Sequence, residues 1–256
     1  MLKRSIVFFY GLCCYAVFLA TFLYAIGFVE NLLVPRSIDS PPSGDFATSL
    51  VVDLVLLLVF AVQHSGMARQ PFKAWLTRMI PQAAERSTYV LASSLALILL
   101  FALWRPLGGI VWSVDNHVGV LLLYALCACG WLLVFVSTFL INHFDLFGLR
   151  QVWLYVTDSA YRPVEFRTPG PYRLVRHPLY VGFLFAFWST PTMTAAHLVF
   201  AIATTGYILV GIQFEERDLV THLGDTYSRY RQRVPMLVPF MHAGATHDDE
   251  GGHHHA

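Results

Sequence analysis

The stretch "PLYVGFLFAFWSTPTMTAAHLVFAIATTGYILVGIQ", residues 178–213, decides the fold. It is apolar almost throughout, yet it is far longer than the roughly 20 residues that one bilayer-spanning helix needs. Ser189-Thr190-Pro191-Thr192 interrupts it. Proline lacks the N–H that a continuing helix requires, and turn residues surround it. The segment therefore reads as a helical hairpin, with a short first arm near 178–189 and a full second arm near 193–213. A hairpin returns to the side it started from. "RLVRH" (173–177), just before the first arm, should then lie near "EER" (215–217), just after the second.

Working outward, the whole chain shares this character. Of 256 residues, 56% are hydrophobic and only 13% charged, whereas a soluble domain carries about a quarter charged residues. Four further apolar runs, 5–28, 47–65, 88–104 and 117–141, approach spanning length. The expectation is an all-α integral membrane protein of about six passes, five full and one short. Lys3 and Arg4 give the first run the basic start of a signal peptide. Its apolar part is too long for one and lacks a small-x-small cleavage site, so it should remain as a spanning helix. A formal charge of +1 without a basic stripe gives no sign of nucleic-acid binding. Cys13, Cys14, Cys127 and Cys129 sit inside apolar runs without CxxC spacing and read as buried fillers.

Arginine and lysine fall on alternate loops. Arg69, Lys73, Arg78 and Arg86 occupy the second loop; Arg150, Arg162, Arg167, Arg173 and Arg176 occupy the fourth. The intervening loops hold only Arg36 and Arg105, and the hairpin turn holds none. The positive-inside rule then puts both termini and loops two and four in the cytoplasm, as expected for a bacterial inner-membrane protein. Residues 1–241 read as a single domain, with 142–241 as its cofactor-binding part. Residues 242–256 are polar and of low complexity and should be disordered. Their histidines, His253, His254 and His255, read as a solvated tail rather than a metal site.

Pro178 biases His177 towards an extended backbone and suits the first turn of a helix. The free N–H groups of that turn favour an anion, and Arg173 and Arg176 strengthen the preference. The bland reading makes these arginines interfacial anchors and Glu215 and Glu216 their counter-charges. It leaves His177 before a proline unexplained.

"RHPLYVG" at 176–182 followed by "EERDLVTHLGDTYSRYRQRVP" at 215–235 resembles the C-terminal signature of the isoprenylcysteine carboxyl methyltransferase-like membrane methyltransferases. The match covers Arg176, His177, Pro178, Tyr180, Gly182, Glu215, Glu216, Leu219, Gly224, Tyr227, Tyr230 and Pro235. "QHSGMARQPFK" (63–73) and "INHFDLFGLRQVW" (141–153) resemble the branch holding the NnrU proteins and the methanethiol-methylating enzymes, and the second stretch is closer to the latter. The resemblance implies S-adenosylmethionine as methyl donor, in a site enclosed by the hairpin and the cytoplasmic C-terminal segment. It implies a small volatile thiol as substrate, methanethiol giving dimethyl sulfide, with the lipid bilayer around the protein and no obligate protein partner. Hydrogen sulfide and prenylated or lipid thiols are the alternatives. Family members often carry an arginine after the Val-Pro of the tail, where this chain has Met236.

In that setting the cofactor's carboxylate suits Arg176 or the helix N-terminus beside His177, and its ribose or amino group suits Glu215 or Glu216. Tyr180, Tyr227 and Tyr230 would pack on the adenine, and Gly182 would let it approach the helix backbone. A thiol is mostly protonated at neutral pH, so a base helps. His64 and His143, at the cytoplasmic ends of the second and fourth spans, are the candidates; for each, a satisfied structural histidine is as good a reading. Arg150 would stabilise the thiolate or the cofactor carboxylate, or serve as an anchor. Asp53 reads as an interfacial polar residue near the outer face, where His117 and His197 also lie. Two other classes compete: a haem- or quinone-binding redox protein that uses the histidines, and a non-catalytic scaffold or transporter.

Overall fold

A computed structural model describes residues 1–42 and 44–239; the expected disordered tail, 242–256, lies outside them. Five helices are long and apolar enough to cross a membrane: α1 (Leu2–Glu30), α2 (Phe46–Met67), α4 (Gln82–Leu103), α5 (His117–Ile141) and α9 (Ala195–Leu223). Short helices link or extend them: α3 (Gln70–Leu76), α6 (His143–Leu146), α7 (Leu149–Val156) and α10 (Asp225–Arg233). The hairpin's first arm is α8 (Pro178–Trp188), preceded by a 3-10 turn at Gly170–Arg173. Polar side chains start several helices by accepting an otherwise orphaned backbone N–H: Asp45 from Thr48 at α2, Asn116 from Gly119 at α5 and Thr194 from His197 at α9.

The hairpin forms as expected, with one refinement. Its turn is not a bare connection: β2 (Thr192–Thr194) pairs antiparallel with β1 (Ile110–Ser113), between α4 and α5. Its second arm continues past the apolar part near 213 as a charged stretch of the same helix, as the sequence suggests, and ends at Leu223; "EERDL" is polar yet rich in good helix formers. α8 has 11 residues and rises only about 16 Å. The stretch of α9 from Ala195 to Glu216 rises roughly 32 Å. The extended residues 189–194 make up part of the difference, so that His177 can still meet Glu216.

α8 packs along α5, and glycines make the contact close. A Cβ on Gly182 would lie 2.7 Å from the carbonyl oxygen of Gly130 and 2.8 Å from Val134; one on Gly130 would lie 2.7 Å from the carbonyl oxygen of Gly182. Phe28, Phe101, Trp104, Trp131, Phe187 and Phe200 form the central core. Large apolar side chains such as Leu58, Leu121 and Leu132 point outward at about 60–70% exposure, the pattern of helix faces turned to lipid rather than water.

Contacts sort the loops onto two ends. At one, the basic end, Arg4 pairs with Asp158 at 2.7 Å, Arg86 donates to the Leu146 carbonyl at 2.7 Å, and Arg69 lies 3.7 Å from Asp218. At the other, Asp39 accepts from Thr194 and from Asn31 (2.8 Å) and faces His197 at 3.6 Å. Asp53, near the same end, is fully buried within the protein and accepts the Arg105 backbone N–H at 2.8 Å.

Candidate active site

The two arms of the hairpin meet on one carboxylate. Glu216, on α9, accepts from Arg176 Nε at 2.6 Å and lies 3.0 Å from His177 Nε2, with both charged side chains only about a tenth exposed. The Tyr227 hydroxyl donates to the same oxygen at 3.5 Å, bringing in α10. Arg176 Nη1 also donates to the carbonyls of Val234 (2.6 Å) and Arg231 (3.0 Å). The backbone N–H groups of Arg176 and His177 bond to the carbonyls of Pro235 and Met236. Gly224 makes this possible: at φ 54° and ψ −128°, a conformation that glycine adopts without penalty, it turns α10 back under the hairpin. Arg176 Nε and Nη1 thus fasten the C-terminal segment to the hairpin.

Glu215 is different. It is nearly half exposed and accepts from the Tyr180 hydroxyl at 3.0 Å through Oε2, with no hydrogen bond to Oε1 among the described residues. The phenols around it are donors at neutral pH. Burial pushes Tyr227 and Tyr172 well above the ordinary value, and Tyr230 to about 12. Tyr230 donates to the Tyr172 carbonyl at 2.6 Å and packs with Tyr227 and Phe166. Gly182 is not in this group. Its backbone is covered by Gly130 and Val134, so it serves helix packing where cofactor approach was expected.

The catalytic candidates separate. His64 sits among hydroxyls: Tyr89 Oη lies 2.8 Å from Nε2 and Ser93 Oγ 3.1 Å from Nδ1, with Phe60 stacked on the ring and Tyr207 edge-on. Tyr207 lies on α9, the helix that also carries Glu215, which ties this cluster to the hairpin. His143 has both ring nitrogens taken, by Tyr15 and Thr138 at 2.8 Å each, and stacks on Phe139 at 4.2 Å. Its ring nitrogens are thus partnered by hydroxyls as those of His64 are. Arg150 donates to Asp145 (2.8 Å) and to the Arg162 carbonyl (2.9 Å), fixing the segment after α7. Among the described residues His64 and His143 have no hydrogen-bond or ring partner in common. Among the described residues no three His, Cys, Asp or Glu side chains converge for a metal.

Curated relatives speak to the chemistry. A methanethiol S-methyltransferase of Crocosphaera subtropica is 57% identical over 240 residues, 94% of each chain. The chain belongs to the methanethiol S-methyltransferase family. A Mycobacterium tuberculosis member is 53% identical over 94% of this chain and 99% of its own. Nurim of Rattus norvegicus is 34% identical over 180 residues, 67% of this chain. No family model and no solved structure matches.

Membership in a methyltransferase family implies a methyl donor, and the site has polar atoms to spare for one. Among the described residues Gln63 Oε1 is buried at the basic end without a hydrogen-bond partner, while the buried hydroxyls of Tyr172 and Ser137 lie close enough to satisfy each other. An unpaired buried acceptor costs about 1–3 kcal/mol unless something satisfies it. With the Glu215 carboxylate, Gln63 Oε1 suits a ligand bearing hydroxyl and amino groups and a positive charge. Tyr89, Ser93, Tyr172 and Tyr207 were not singled out from the sequence. The four-residue spacing of Tyr89 and Ser93, which puts two hydroxyls on one face of an apolar helix, was the available signal.

Proposed function

We propose that this protein transfers the methyl group of S-adenosylmethionine to a small thiol, methanethiol, giving dimethyl sulfide, at a site facing the cytoplasm. The names of the relatives support the reaction. The observation that carries the reading is the placement of Glu215 next to Tyr180 and on α9, the helix whose Tyr207 also packs on His64.

S-adenosylmethionine supplies a methyl group on a positively charged sulfur. The chain's own residues supply the rest. Glu215 and the faces of Tyr180 and Tyr207 complement that charge, and Gln63 Oε1 offers a buried hydrogen-bond acceptor. Arg176, His177 and Glu216 lock the two hairpin arms in register, which is the source of orientation. His64 has a ring nitrogen able to take the thiol proton, directly or through Tyr89. The sulfur then bonds to the methyl carbon as that carbon leaves its former sulfur. Apolar walls such as Phe60 keep water from solvating the attacking sulfur.

Membranes containing the protein, given methyl-labelled S-adenosylmethionine and methanethiol, should release labelled dimethyl sulfide into the headspace. Labelled product from hydrogen sulfide or a prenylated thiol, with none from methanethiol, would overturn the substrate. No transfer to any thiol would overturn the reaction.

A further inference from the structure

A cavity of about 790 Å³ opens at the basic end between α3, the start of α4, the end of α5 and α7, a size typical of small-molecule sites. Its charged lining is of both signs. Lys73 and Glu85 line it, and among the described residues neither the ammonium nor the carboxylate has a hydrogen bond or ion pair. Arg86 lines it too. Its Nε donates to the Leu146 carbonyl at 2.7 Å, and neither Nη has a hydrogen bond among the described residues. Asp145 is already held, by Arg150 at 2.8 Å and the Tyr161 hydroxyl at 3.3 Å. Gln151 donates through Nε2 to the Asp145 carbonyl at 3.0 Å, which fixes its amide and leaves Oε1 buried without a partner among the described residues. Tyr89 joins the cavity to His64: Arg86 Cζ lies 5.1 Å from the centre of its ring, and its hydroxyl lies 2.8 Å from His64 Nε2. α3, which carries Lys73, connects α2 with His64 to α4 with Tyr89.

Resting on the methyl-transfer reading above, we propose that this cavity takes the amino-acid end of S-adenosylmethionine. That end carries a carboxylate and an ammonium group together, and the cavity offers partners for both. Lys73 and the two Nη groups of Arg86 donate to the carboxylate. Glu85 and Gln151 Oε1 accept from the ammonium, which removes the cost of a buried acceptor left unpaired. A simple anion would leave Glu85 and Gln151 unanswered, and a simple cation would do the same to Lys73 and Arg86. Two methylene groups separate the amino-acid end from the sulfonium, a span short enough for the methyl group to reach the Tyr89–His64 pair. The carboxylate thus falls to Lys73 and Arg86, and not to Arg176, whose Nε and Nη1 already hold the C-terminal segment.

The test compares two ligands on the full chain in lipid nanodiscs by isothermal titration calorimetry. S-adenosylhomocysteine keeps the amino-acid end, whereas methylthioadenosine has the nucleoside and sulfur without it. The parent should bind S-adenosylhomocysteine more tightly. Lys73→Gln and Glu85→Gln should each weaken S-adenosylhomocysteine roughly tenfold, the effect of one charge-assisted hydrogen bond, and leave methylthioadenosine unchanged. Lys73→Arg should keep most of the affinity. Both glutamine variants should unfold as the parent does, since neither side chain is tied to the fold. Equal losses for the two ligands, or no loss for either, would overturn the proposal. So would binding of free methionine to the parent without competition against S-adenosylhomocysteine, since the cavity would then be a separate amino-acid site. Affinity is read without turnover. A parent that methylates thiols while both variants keep full affinity sinks this inference alone; a parent that methylates no thiol and binds neither ligand sinks the methyl-transfer reading with it.

Discussion

A carboxylate buried against both an arginine and a histidine tolerates little change. Glu216→Gln leaves Arg176 and His177 facing a neutral amide, and breaking a buried pair of this kind costs about 3 kcal/mol or more. Thermal unfolding in detergent should show the loss, and methyl transfer should fall at least about a hundredfold as the hairpin arms lose register. Tyr89→Phe is a milder change. It removes only the hydroxyl on His64, so kcat should drop about tenfold or more, with KM for the methyl donor little changed; an unaltered kcat would exclude Tyr89 from the proton path. Asp39 tests the opposite end. Burial alone would raise its pKa, but hydrogen bonds from His197, Thr194 and Asn31 outweigh that and hold it below the ordinary 3.8. A depressed carboxylate contributes stability that is fully present above 3.8 and lost as pH falls through the lower folded value. Asp39→Asn should therefore lower the unfolding temperature at pH 7, and the difference from the parent should shrink below pH 4. At this scale the sequence revealed the partners Arg176, His177, Glu215 and Glu216, because they flank one hairpin. It could not show that Arg176 donates to backbone carbonyls of residues 231 and 234, or that His143 is partnered by Tyr15, 128 residues away.

Among the elements, α8 depends most on its neighbour. Gly182→Ala places a methyl against the Gly130 carbonyl at 2.7 Å, a distance that helix backbones can relieve only by moving apart. Overpacking of this kind costs about 1–3 kcal/mol. Since α8 begins at the residue after His177, the shift should weaken donor binding as well as stability, measurable as a raised KM. If Gly182→Ala unfolds as the parent does, the close α5–α8 contact is not as described. The hairpin itself was legible in the sequence because a proline and three hydroxyl residues interrupt an overlong apolar run. The charged continuation of α9 was legible too, but not its end at Leu223, since hydropathy registers where a helix leaves lipid and not where it ends. The β1–β2 pairing was hidden for another reason: its strands are four and three residues long, too short for an alternating pattern to stand out.

For the whole molecule, composition alone carried the class, since a chain this apolar has few ways to satisfy its backbone except as membrane helices. The alternation of basic loops anticipated the two ends into which the contacts divide. What hydropathy could not supply was the lateral arrangement of the helices, and with it the meeting of α2, α4, α8 and α9 around His64 and Tyr180. The account rests on that meeting being a methyl-transfer site. The direct measurement uses the purified protein and its Glu216→Gln variant in lipid vesicles, with trideuteromethyl S-adenosylmethionine and methanethiol, and mass spectrometry of the headspace. The parent should yield dimethyl sulfide bearing one labelled methyl group, and the variant almost none. Absence of labelled product from the folded parent, or equal production by the variant, would contradict the account.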